Sequence, residues 1–168
     1  MPCRCYSAGV SRKRFSHMPC GVAQALDVLG DWWTLLVVRD AFFGARRFTD
    51  FEASLGIARN ILAARLKRLV AQGVFERHPG AEDARTVEYR LSPKGEALLP
   101  VLMALRDWSD RWIFGPGHEP LVMTDRRTGR RVPPLTVFDA EGQSLTRRDL
   151  RAVPGPGAAT PSGSVRPA

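Results

Sequence analysis

Between residues 59 and 68 the sequence sets Arg59, Asn60, Arg65, Lys67 and Arg68 around the leucines Leu62, Leu66 and Leu69. Arg and Lys can hold phosphates or read guanine, and Asn can bond adenine through two hydrogen bonds. On a helical wheel Leu62, Leu66, Leu69 and Gly73 share one side. Asn60, Ala64, Lys67 and Ala71 share the other, flanked by Ala63 and Arg68, with Arg59 and Arg65 near the boundaries. Ala63 and Ala64 matter because small side chains let a helix backbone approach base edges closely. The alternative is a solvated basic face without a ligand, which is common. The flanking elements decide between the two.

Other residues with reactive side chains are sparse. No nucleophile–base set or paired-carboxylate motif stands out, and Asp27, Asp31 and Asp40 read as helix surface or cap residues, so an enzyme and a cofactor are not expected. Cys3, Cys5 and Cys20 are too few and too odd in number for a disulfide scaffold, which points to free thiols. Cys20 lies just before a helix, near Arg14 and His17, where the positive end of the helix dipole favours a thiolate. It is a candidate redox sensor, with simple packing at the helix start as the alternative. Cys3, Cys5, His17 and Cys20 are conceivable zinc ligands, but their spacing fits no standard finger, and no metal is assigned. Trp32, Trp33, Trp108 and Trp112 suggest either an aromatic-ligand pocket or packing, and their helical spacing favours packing.

The basic helix needs elements to position it. Val22, Ala25, Leu26 and Leu29 recur at helical spacing until Gly30 stops them. Asp31 is a good N-cap for a second helix that is apolar on most sides, through Trp33, Leu35, Leu36, Val37 and Phe42, and so should be the central buried one. After the turn carrying Arg46 and Arg47, residues 48–55 spell a short helix, with Thr49 as N-cap and Glu52 as its capping-box partner. Gly56 turns the chain sharply into the basic helix, residues 58–72, which Gly73 ends. Strands at 74–78 and 86–91 flank a polar loop, and Val87, Tyr89 and Leu91 alternate with Glu88 and Arg90 as in a half-buried strand. Ser92-Pro93 opens a long helix whose stripe is Leu98, Leu102, Leu105 and Trp112, widened by Val101 and Trp108 and closed by Gly115-Pro116-Gly117. Helix, tight turn, basic helix and hairpin is the order that places a helix in the DNA major groove with a wing beside it.

Length and charge agree. The 168 residues carry a net charge of +8 and are 44% hydrophobic, which suits one domain with a real core plus tails. The sequence pI of about 10.4 favours a polyanionic partner, because cations near phosphates release condensed counterions. No apolar run approaches the ~20 residues of a membrane span, and the basic N-terminus lacks the apolar stretch of a secretory signal. A soluble cytoplasmic protein with no membrane partner is expected. Residues 1–17 read as a flexible tail; a basic arm at Arg12-Lys13-Arg14 that touches phosphates is the alternative. The ordered pattern begins just after Met18, which could be the true start. Residues 18–115 form the main domain. In 116–153, Leu121-Val122-Met123, Arg131-Val132 and residues 135–138 read as short strands joined by turns at Thr128-Gly129 and Glu141-Gly142, a small β extension. Residues 154–168, rich in Pro, Gly, Ala and Ser, read as a disordered tail.

Several segments together resemble the HxlR family of bacterial winged helix-turn-helix transcription regulators: Cys20; Ala25-Leu26-Asp27-Val28-Leu29-Gly30-Asp31 with Trp33-Thr34-Leu35-Leu36; Arg39-Asp40; Gly44-Ala45-Arg46-Arg47-Phe48; Ile57 leading into Leu62-Ala63-Ala64-Arg65-Leu66; Val87-Glu88-Tyr89; Leu98-Leu99-Pro100; and Trp108. The resemblance covers about half the chain. It departs at Gly21, where the family commonly has Pro, and in the residues beyond 115. It implies a homodimer on operator DNA that responds to a small-molecule or electrophile effector.

The expected fold is mainly α with a β-hairpin wing (α+β), a winged helix-turn-helix that dimerises through its first and last core helices, at Val22, Leu26, Leu98, Leu102, Leu105, Trp108 and Trp112. Double-stranded DNA is met by Arg59, Asn60, Ala63, Ala64, Arg65, Lys67 and Arg68, with Arg46, Arg47 and Arg85 on phosphates. Two recognition helices about one helical turn apart imply a palindromic or nearly palindromic operator, and a dimer on a promoter most simply represses by blocking polymerase. The competing reading is an effector-sensing or protein-interaction module in which the C-terminal extension dominates and DNA binding is weak.

Overall fold

The computed structural model describes residue 15, residues 17–81 and residues 83–156. The thiols Cys3 and Cys5, the Arg12-Lys13-Arg14 cluster and most of the 154–168 tail lie outside the described residues. The element order is α1 (Gly21–Leu29), α2 (Trp32–Phe42), α3 (Phe48–Leu55), α4 (Arg59–Ala71), β1 (Phe75–Pro79), β2 (Val87–Leu91), α5 (Pro93–Glu96) and α6 (Leu99–Ser109). This is a winged helix-turn-helix, mainly α with a two-stranded antiparallel wing. No single helix among the described residues is long and apolar enough to cross a membrane.

The core is built where the sequence pattern puts it. Val37, Val38 and Ala41 of α2, Phe51 of α3, and Leu62, Leu66 and Leu69 of α4 are buried together with Val74 and Phe75. Each fully buried leucine or phenylalanine stabilises the fold by about 1.5–3 kcal/mol. Phe51 and Phe75 meet edge-to-face, 6.2 Å between ring centres, which fixes α3 against the root of the wing. Asp31 caps α2 as expected, accepting from the Trp33 amide at 3.1 Å.

The cap of α3 differs from expectation. The helix is entered through Arg47, and the Asp50 carboxylate accepts from the backbone amides of Arg46 (3.0 Å) and Arg47 (2.7 Å). Asp50 outcompetes the Thr49–Glu52 arrangement because one carboxylate satisfies two otherwise orphaned donors. Gly56 then adopts φ +58°, a left-handed value that favours glycine, and turns the chain from α3 into α4.

The wing pairs Phe75 with Leu91 through to Pro79 with Val87. Buried Ser92 closes its base, donating to the Gly73 carbonyl at 2.6 Å and accepting from the Gly95 amide at 3.1 Å. Gly95 is required there, since a Cβ would stand 2.3 Å from the Val74 carbonyl oxygen.

The expected long helix after Ser92 is broken. α5 ends at Glu96 and α6 begins at Leu99. Pro100 has no amide to donate to the Glu96 carbonyl, and its ring crowds that turn. α6 then widens into a π-helical turn, Asp110–Phe114, that stops at Gly115. The extension beyond has the expected turns, with Gly129 and Gly142 at positive φ. Each is closed by one antiparallel bridge, Thr124–Arg131 and Phe138–Ser144, in place of full strands. Pro133 and Pro134 remove the amides a longer ladder would need. The extension is pinned to α6 by the Leu135 amide on the Asp107 carboxylate (2.8 Å), and Arg131–Glu119 (2.8 Å) ties the extension to itself.

Candidate nucleic-acid interface

The leucine seam presents one face of α4 to solvent. Asn60, Ala63, Ala64, Lys67 and Ala71 are all exposed. The Asn60 side-chain oxygen accepts from the Ile61 amide at 2.9 Å, which leaves its NH2 group outward. Among the described residues Lys67 makes no ion pair. The N-cap Ala58 is exposed and offers no side-chain acceptor, so the first amides and the positive dipole end of α4 are open to an anion.

The long basic side chains divide. Arg59 is exposed, sits over the Phe48 ring at 5.4 Å and pairs with Glu52 at 3.2 Å. Arg65 and Arg68 turn inward. Arg65 pairs with Asp31 at 2.5 Å, and Arg68 donates to the Asp27 carbonyl. Both were expected on DNA. A boundary position on a helix lets a long side chain swing either way, and the acceptors at the α1–α2 junction capture these two.

Arg46 is also diverted. Its guanidinium donates to the carbonyls of Ala41 (2.7 Å) and Ala45 (3.2 Å), closing the end of α2. Its own carbonyl accepts from the Tyr89 amide at 2.7 Å. Arg47, half-buried, bridges to Glu88 of β2, so the turn before α3 adds a short third edge to the wing. That edge explains a failure of the alternation pattern. Glu88 is buried, paired with Arg90 at 2.9 Å and accepting from the Ala81 amide at 3.2 Å. Arg90, the Ala81 amide and Arg47 hold its carboxyl below the ordinary glutamate range, against the opposing effect of burial.

At the wing tip Arg85 is 91% exposed and pairs with Asp83 at 3.2 Å. That contact holds the Asp83 carboxyl below its ordinary value. Arg77 on β1 is exposed and has no ion pair among the described residues. The sequence pattern hides it, because Arg77 shares parity with buried Phe75, yet the strand has left the core by that point.

Of the expected dimer residues, Leu98 and Leu102 pack on the chain's own core. Val22 (70% exposed), Leu26, Leu105, Trp108 (58%) and Trp112 (66%) lie on the surface of α1, α6 and the turn after it. Cys20 is exposed at the α1 N-cap.

A helix-turn-helix with an exposed, small-residue face and an adjacent hairpin agrees with what comparison of the sequence finds. Residues 28–115 match the family described as HxlR-like helix-turn-helix. The chain belongs to the HxlR-like family. It is 37% identical over 136 residues to the uncharacterized HTH-type transcriptional regulator Rv3095 of Mycobacterium tuberculosis, covering 81% of this chain and 86% of that one. It is 36% identical over 91 residues to the HTH-type regulator YvaP of Bacillus subtilis, covering 54% and 84%. The crystal structure of PA1607, a candidate transcription factor, superposes with a TM-score of 0.79 at 42% identity, covering 84% of this chain and 99% of that one. This HxlR-like chain is therefore an HTH-type transcriptional regulator, and DNA binding comes with its domain. The 136-residue match cannot fit within residues 1–115, so it takes in part of the extension.

Proposed function

We propose that this regulator binds a palindromic operator as a homodimer and represses the promoter it occupies. The observation that carries this reading is the division of labour on α4. Arg65 and Arg68 fasten the helix to the α1–α2 junction, while Asn60, Ala63, Ala64 and Lys67 face outward, Asn60 with its NH2 group and Lys67 with its ammonium group open. Asn60 and Lys67 then read base edges, the alanines allow close approach, and Arg47, Arg59, Arg77 and Arg85 hold phosphates. Exposed Val22, Leu26, Leu105, Trp108 and Trp112 form an apolar surface suited to a second copy. Two α4 helices then sit about one helical turn of DNA apart. A dimer so placed excludes polymerase, and no catalytic role is assigned.

The test is binding to DNA from the chain's own promoter region, titrated across salt concentration. A two-fold dimer using several arginines on each subunit should lose affinity by roughly 10³-fold or more between about 50 and 200 mM salt. A flat salt dependence would favour the effector- or protein-interaction reading, in which the extension dominates.

A further inference from the structure

The residues beyond 115 build something the helix-turn-helix alone would lack. Residues 120–126 form, with α2 and α6, the walls of an open-mouthed cavity of about 710 Å³. Its walls are Leu35 and Phe42 of α2, Leu102 and Met103 of α6, and Leu121 and Met123 of the extension. A volume of 300–1,000 Å³ with a mainly apolar lining is that of a small-molecule site. The polar lining is lopsided, with Arg39, Arg106 and Arg126 against the single acid Asp110. Arg39 is engaged by Asp40. Arg106 is engaged by Asp107 and Asp110 at 2.5 and 3.4 Å, but its Nη1 is buried with no hydrogen-bond acceptor among the described residues. Arg126 is exposed and has no ion pair among them. The smaller neighbouring cavity, 200 Å³, shares Arg106 and Asp110 with the larger one and sets Arg106, Arg111 and Arg131 against Asp107, Asp110 and Glu119, so its charges balance.

We infer that this cavity binds a small hydrophobic carboxylate, its apolar body between α2, α6 and the extension and its headgroup on Arg126. An apolar occupant removes from water side chains that the fold leaves half-covered. An anionic headgroup supplies the counter-charge that Arg126 lacks. The two walls also have other work. The opposite side of α2, Val37 and Val38, packs in the core with α4, and Leu105 of α6, which also lines the cavity, belongs to the proposed dimer surface. An occupant would thus bear on the spacing of the two α4 helices. That coupling rests on the proposed function, whereas binding itself does not.

The test is titration calorimetry of the purified full-length chain with dodecanoate, with dodecanol and dodecylamine as neutral and cationic counterparts. We expect one dodecanoate per chain and at least tenfold weaker binding of both counterparts. Arg126→Gln, on an exposed side chain, should weaken dodecanoate about tenfold without changing the melting temperature. Met103→Trp should fill the cavity and abolish binding. No heat with dodecanoate up to about 1 mM overturns the proposal. So does binding that is indifferent to headgroup charge and unchanged in Arg126→Gln, which marks a non-specific apolar surface. Loss of self-association in Met103→Trp, with no dodecanoate binding by the wild-type chain, overturns it in favour of an interface between copies. If dodecanoate binds but DNA affinity is unaffected, the site stands and only the coupling fails.

Discussion

Arg65 Nη2 lies 2.5 Å from Asp31 Oδ2, so the helix offered to DNA is bolted to the cap of the helix at the centre of the core. Asp31 thereby does two things, capping α2 through one oxygen and orienting α4 through the other. Arg65→Ala should cost about 1–2 kcal/mol in urea unfolding, between the limits for exposed and fully buried pairs. It should also weaken DNA binding, by loosening α4.

Asn60→Ala and Lys67→Ala should behave in the opposite way. Both side chains face away from the leucine seam, so stability should stay within about 0.5 kcal/mol. Each should lose about 1–3 kcal/mol of specific operator affinity in a gel-shift titration. Equal affinity of both variants and wild type would remove α4 as the reader.

The contrast between Arg65 and Lys67 also shows what the sequence makes legible. The seam of Leu62, Leu66 and Leu69 follows from spacing alone, as do the stops at Gly56, Gly73 and Gly115, because both are local. The direction of Arg65, Arg68 and Arg46 depends on acceptors contributed by α1 and α2, which no spacing rule within α4 contains. Glu88 fails the alternation rule for the same reason, since the edge that buries it comes from residues 46–47. The break at Pro100 was legible in principle, because the missing amide is a local fact, but the continuous apolar stripe on either side masks it. Leu98 and Leu102, read from that stripe as interface, are half-buried against the chain's own core.

The wing offers a gain-of-affinity test. Asp83 holds Arg85 at 3.2 Å at the exposed tip and places a negative charge where a phosphate would approach. Asp83→Asn should free the guanidinium, tighten DNA binding several-fold, and raise the magnitude of the salt slope by close to one counterion. The pair is too exposed for its loss to change stability measurably. An unaltered slope would place the wing tip away from the backbone.

Glu88 sets an acid limit on the wing. Its carboxyl is held below the ordinary glutamate value of 4.5 by Arg90, the Ala81 amide and Arg47. A group depressed in the folded state contributes stability that is complete above its unfolded value and lost as pH falls through the folded one. Wild-type melting temperature should therefore drop below about pH 4.5, and Glu88→Gln should lower stability at neutral pH while flattening that acid limb. Parallel acid limbs in the two proteins would show that other carboxylates govern it.

Trp108→Asp tests the dimer. Trp108 is on the outer side of α6 and contributes nothing to the buried core, so the single chain should fold. A charge introduced on a face covered by a second copy would be desolvated without a partner. Sedimentation should show a monomer, and operator affinity should fall sharply because one α4 reads only one half-site. A variant that still sediments as a dimer would place the contact elsewhere.

Cys20 poses the last question, and its position makes the answer clean. The thiol is exposed at the N-cap of α1 and gives that helix no capping hydrogen bond. Serine is a better N-cap than cysteine, so Cys20→Ser should fold at least as well as wild type and bind DNA equally. If the thiol senses oxidants, diamide should release the wild-type protein, through a disulfide between the two Cys20 of a dimer with diamide taking up the electrons and protons. The bridge would form next to Val22 and Leu26, on the surface proposed to meet the second copy, and would change the separation that the operator imposes on the two α4 helices. Cys3 and Cys5 can form competing disulfides, so the comparison belongs in a full chain with both replaced by serine. In that background, equal DNA affinity with and without diamide would make Cys20 a helix-start residue with no sensing role. Control would then have to come from a non-covalent ligand, and the cavity beside Arg126 is where the structure offers one a place.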